Sequence, residues 1–187
     1  MAFNDDAVRA GLTGKVFAGP VGATMPTDVT TALDPAFEEV GLIDPDALTE
    51  TLDVEKTVVK AWQRKAGVRT LTTDVTWTFQ FKAMESNPLV YELYFAGETT
   101  VDSGTAKTTV PNNPTGTERA FVVEIEDGDV IERICIPKGD VTDRGDVSHT
   151  ATDATVFEMT VTVLGTTIDD LGWRLTNDPT FLAAGSS

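Results

Sequence analysis

With a single cysteine, Cys135, the chain can close no disulfide within itself. With a single histidine, His149, beside that one thiol it cannot offer any familiar zinc-binding spacing. Cys135 also lies in an apolar alternating stretch, where a free cysteine behaves as a small hydrophobe and not as a nucleophile. Positive charge is scarce: 14 Lys and Arg stand against 30 Asp and Glu, a formal net charge of −16. General nucleic-acid binding rests on displacing counterions from phosphates with Lys and Arg, and this balance excludes it. The same balance excludes adhesion to anionic membrane surfaces. No segment approaches the ~18 consecutive apolar residues of a membrane span, and the acidic N-terminus is unlike a signal peptide. The expectation is a soluble, unprocessed chain. Asp140, Asp143 and Asp146 lack the close spacing and terminal Glu of a calcium loop. Gly11–Val16 lacks the spacing and the Ser or Thr of a phosphate loop. No catalytic constellation, metal site or cofactor motif stands out, and no enzymatic activity is expected.

What is present is β structure. From Asp74 to Lys82, Val75, Trp77, Phe79 and Phe81 alternate with Thr76, Thr78, Gln80 and Lys82, the period of a half-buried strand. Ser86-Asn87-Pro88 then opens a short helix with Leu89, Val90, Leu93 and Tyr94 at helical spacing, and Gly97 supplies a stop. Val75, Trp77, Phe79, Phe81, Leu89 and Leu93 are the expected core. Further strands are expected at 15–18, 54–62, 68–71, 98–101 and 155–164, with 20–35 and 102–117 as loops. Residues 119–137 form a hairpin about Asp127-Gly128. A two-residue turn there pairs Ile125 with Val130 and Glu124 with Ile131, leaving Arg133 diagonal to Glu124. It sets Glu132 on the face of Val123, Ile125 and Ile134, so that face must meet water or a partner. Residues 41–55 carry Leu42, Ile43, Leu48 and Leu52 among acids with no clean period. They read as a long loop that needs cover from another subunit, or as a helix over 45–51 capped by Asp44.

The order of these features resembles the major tail tube proteins of long-tailed (siphovirus-type) bacteriophages, from about Gly14 to Leu164. The carriers are the extended segment at Gly14–Pro20, the acidic arm at 41–55, Lys60-Ala61-Trp62, the Val75–Phe81 strand running through Glu85-Ser86-Asn87-Pro88 into its helix, the 119–137 hairpin and Phe157-Glu158-Met159-Thr160-Val161. The resemblance implies a mainly β domain over 1–187, a sandwich or barrel with one flanking helix and a long arm loop. An N-terminal arm (1–13) and a C-terminal tail (165–187) flank it. It implies a structural, self-assembling subunit of the virion tail, made in the host cytoplasm. Hexameric rings would stack into a tube that conducts DNA without gripping it and meets tail tip, tail terminator and tape measure proteins. Leu42, Ile43, Leu48, Leu52 and Trp62 become the expected inter-subunit contacts. Glu124, Glu126 and Glu132 become the expected lumen charge. A capsid-decorating or head–tail connector protein and a β-sandwich hydrolase or carbohydrate-binding module are the competing readings.

Overall fold

The computed structural model describes residues 8–45, 48–166 and 170–184. Among these residues ten strands and two helices follow in order: β1 (Thr13–Pro20), β2 (Glu38–Glu39), β3 (Thr49–Lys60), β4 (Gly67–Ala83), α1 (Pro88–Phe95), β5 (Thr99–Asp102), β6 (Thr105–Thr108), β7 (Arg119–Asp127), β8 (Val130–Arg144), β9 (Phe157–Val163), β10 (Trp173–Thr176) and α2 (Pro179–Ala184). The main sheet runs β2-β1-β7-β8-β9-β4-β3, with β10 added beside β8, and β5–β6 form a separate hairpin. All pairings are antiparallel. The fold is mainly β, as the alternating segments predict.

One long strand joins the two halves of the sheet. The first part of β8 pairs with β7 and β10, and its last part, from Gly139, pairs with β9. The sheet therefore bends along β8 and folds one apolar face inward. That core holds Val16 and Ala18 from β1, Trp77, Phe79 and Phe81 from β4, Phe121 and Val123 from β7, Ile134 and Ile136 from β8, and Phe157, Met159 and Val161 from β9. Helix α1 closes it with Val90 and Leu93 buried, Leu89 packed at the margin, and Tyr91 and Tyr94 edge-on to Phe157. Its start is as expected: the Asn87 side chain accepts from the Val90 N–H and Pro88 occupies the first turn. Its end lies one residue early, at Ala96 in the left-handed conformation. Gly97 serves a different purpose, because a Cβ there would collide with the Thr109 carbonyl. Phe79→Ala should cost about 3–5 kcal/mol, since a 2% exposed ring in a filled core leaves a cavity behind; urea unfolding measures it.

Several expectations need correction. Val75 is not core: it is 43% exposed, because β4 reaches it before entering the body of the protein at Trp77. Residues 41–55 are neither loop nor helix throughout. Ile43 bridges Ala83, and from Thr49 the chain is a strand along β4; residues 46 and 47 of that segment lie outside the described residues. Residues 102–117 contain β6, turned back on β5 by Ser103 and Gly104, both at positive φ. The β7–β8 turn falls on Gly128-Asp129, one residue later than expected, with Asp127 paired to Val130. Glu124 thus faces Arg133 directly and Ile125 faces Glu132. The tail holds β10 and α2. Residues 1–7 of the N-terminal arm and 167–169 and 185–187 of the tail lie outside the described residues; 8–12 run along β7, with the Leu12 N–H donating to the Glu126 carbonyl.

Candidate assembly surface

The largest exposed feature is the hairpin of β3 and β4. All twelve residues of β3 are exposed, as are Gly67 to Val75 of β4. The strands pair from Thr49 with Gln80 out to Lys60 with Gly67, with bulges after Glu55 and Val59. Beyond Val54 and Val75 no core residue among those described supports it, yet it runs on for roughly 25 Å at about 3.3 Å per residue. A free two-stranded ribbon is at best marginally stable in water.

The ribbon carries uncovered apolar side chains. Leu52 lies opposite Trp77 and Val54 opposite Val75, so both share the face that buries Trp77 and Phe79 further in. Leu52 is 62% exposed, and Val58, Val59, Val68 and Leu71 are exposed beyond it. Trp62, in the tip between the strands, is fully exposed. Past the first bulge Val59 and Leu71 fall on one face and Val58 on the other, so uncovered apolar side chains stand on both faces of the outer ribbon, and exposed apolar surface of this kind marks a site of association. Of the five expected contact residues, Leu42 (67% exposed), Leu52 and Trp62 are surface groups. Ile43 and Leu48 already pack against the core of their own chain. Leu42 sits far from the other two, beside Glu85, whose Oε1 accepts the Leu42 N–H.

Charge divides the same way. Lys56, Lys60, Arg64, Lys65 and Arg69 lie on the outer ribbon, with no acid between Lys56 and Arg69. The rest of the chain therefore carries nine basic residues against all 30 acids. This run was legible in the sequence, but it had no meaning until the strands placed it on a projection.

The three glutamates assigned to a lumen do not form one surface. Glu124 is buried, its Oε1 accepting from Arg133 Nε at 2.5 Å. Arg133 also donates to the carbonyls of Asp28 and Thr31, which ties the 21–37 loop over Ala120 and Val122. Glu126 pairs with Lys15 at 3.4 Å, and Glu132, on the opposite face of the hairpin, with Arg174 at 2.6 Å. A different face is polar and regular. On β3, β4, β9 and β8 the residues turned away from the core align in rows: Thr51, Thr78, Thr162 and Asp140, then Thr49, Gln80, Thr160 and Asp143. Lys82 and Glu158 extend it as a pair 3.8 Å apart.

Two carboxylates hold loops in place. Hydrogen bonds from the backbone and hydroxyl of Thr31, then from Thr30, hold Asp28 well below its usual 3.8. The bond from Arg9, then those from Thr180, do the same for Asp178 ahead of α2. Depressed carboxylates contribute stability that is present above the unfolded value and lost as pH falls through the folded one. The 28–31 loop should therefore keep its exchange protection from pH 7 down to about 4 and lose it below roughly 3; amide exchange at Thr30 and Thr31 checks this. Among the described residues no group of acids, His and Cys is placed to hold a metal ion.

Comparison with curated protein sequences returns no match. Among solved structures, a chain of the cryo-EM structure of the anti-feeding prophage (AFP) baseplate, 6-fold symmetrised, is similar at TM-score 0.37 and 12% identity, over 94% of this chain and 97% of that one. The model of the family described as phage tail tube protein matches residues 1–185. With that match spanning nearly its whole length, the chain belongs to the phage tail tube protein family.

Proposed function

We propose that this protein is the repeating subunit of a tail tube: copies close into hexameric rings, the rings stack, and the hollow cylinder conducts DNA at infection. The observation that carries the reading is the β3–β4 ribbon, whose exposed apolar side chains and fully exposed Trp62 have no cover among the described residues of one chain. A second copy supplies that cover. Exposed sheet edges, an aggregation hazard in a monomer, become the lines along which subunits join. At the ends of such a tube the same surfaces would meet the tail tip and tail terminator proteins, and the bore would hold the tape measure protein.

The lumen wall in this reading is the threonine-rich face of β3, β4, β9 and β8, in place of the β7–β8 glutamates. Hydroxyls and the neutralised Lys82–Glu158 pair offer a phosphate backbone no net attraction, and Asp140 and Asp143 repel it. Negative-stain microscopy of concentrated protein tests the assembly: uniform hollow tubes are expected, and a protein monodisperse at every concentration sinks the reading. For the wall, Thr78→Lys with Thr162→Lys should leave tubes intact but slow DNA release, with a strong salt dependence. Release at the normal rate from such particles would move the lumen elsewhere.

A further inference from the structure

Resting on the tube reading, we infer that the arm tip of one copy docks on the far end of the next, with Trp62 seated against Leu42. The two sites are complementary in shape of charge. Trp62 is an exposed indole with Lys60, Arg64 and Lys65 within three residues of it in the tip. Leu42 is an exposed aliphatic side chain with the Glu85 carboxylate on its N–H, Asp44 two residues on and the exposed Glu38–Glu39 strand just upstream.

They lie at opposite ends of one strand. β4 begins at Gly67, next to the tip, and ends at Ala83, which bridges Ile43. Its 17 residues span roughly 50 Å at about 3.3 Å each. No chain can bring its own tip to its own Leu42, so the occupant is a second copy. Because the two patches differ, the contact is head-to-tail, and each docked copy presents a fresh tip. Repeated along the strand direction, it does not close on itself. It supplies axial growth, while the sheet edges supply the ring. Tryptophan is among the residue types on which such interfaces concentrate their affinity, and the opposed charges orient and speed the approach.

The test uses the full chain. Trp62→Cys combined with Leu42→Cys, assembled well above the raised critical concentration that loss of Trp62 entails and then treated with a short bifunctional maleimide, should give a ladder of covalent multimers. Each single variant should give at most dimers. The native Cys135 stays silent, since burial pushes its thiol up to about 11 and leaves none of it exposed. Trp62→Ala, a change at a fully exposed site, should raise the critical concentration for tube growth about tenfold or more. Reversing Lys60, Arg64 and Lys65 to Glu should abolish growth while the subunit's melting profile stays unchanged. Tubes that form without a ladder, or Trp62→Ala tubes at the wild-type concentration, overturn this seat and leave the tube reading standing. Wild-type protein that never polymerises overturns both.

Discussion

Replacing residues 56–73 with an Asn-Gly turn should yield a folded subunit that forms no tubes at all. Glu55 and Asp74 are paired partners, so a two-residue turn joins them without changing register. The excised ribbon buries nothing in its own core, and melting should shift by no more than about 2 °C, the range of surface changes. The assay is sedimentation of assembled material together with a thermal melt. Normal-length tubes from the trimmed chain would remove the arm from the assembly. The cut must fall in this place. Deleting 42–52, where the apolar residues of the sequence first suggest an arm, would strip the Ile43–Ala83 bridge and the strand lying on Phe79. It would fail by unfolding and test nothing about assembly.

The second large effect is expected inside the subunit. Arg133→Ala leaves the Glu124 carboxylate buried without its partner and frees the carbonyls of Asp28 and Thr31. Breaking a buried pair on one side costs about 3–5 kcal/mol. For a chain of this size that corresponds to a fall in melting temperature of roughly 6–20 °C. Replacing both partners, Glu124→Leu with Arg133→Met, should recover most of the loss, because two apolar groups of similar volume need no solvation. If the single and double variants melt alike, the pair is not what secures the 21–37 loop. Denaturation monitored at Trp77 reports both.

Strands were legible wherever one face was buried. Phe79 and Phe81, or Met159 and Val161, alternate with polar residues because one side meets the core and the other meets solvent. The helix start was legible from Asn87 and Pro88, since capping is local chemistry. The arm was not. Residues 49–60 are exposed on both faces, so nothing within the chain selects an alternating pattern, and Val75 reads as core only because alternation continues past the point where the body ends. Glu124 looked like surface charge for a related reason. Its partner is set by a turn one residue further on, and a one-residue change in turn position decides which side chain stands opposite. Leu42 and Trp62 were identified as surface groups in need of cover; their separation along β4 is a property of the fold alone.

The span of β4 has a mechanical consequence. A tensile load entering at the projecting end and leaving near Ala83 would run through one unbroken backbone, braced sideways by ladders of hydrogen bonds to β3 and β9. Cylinders built on such struts should resist stretching better than bending, because bending needs only a small shear between neighbouring copies.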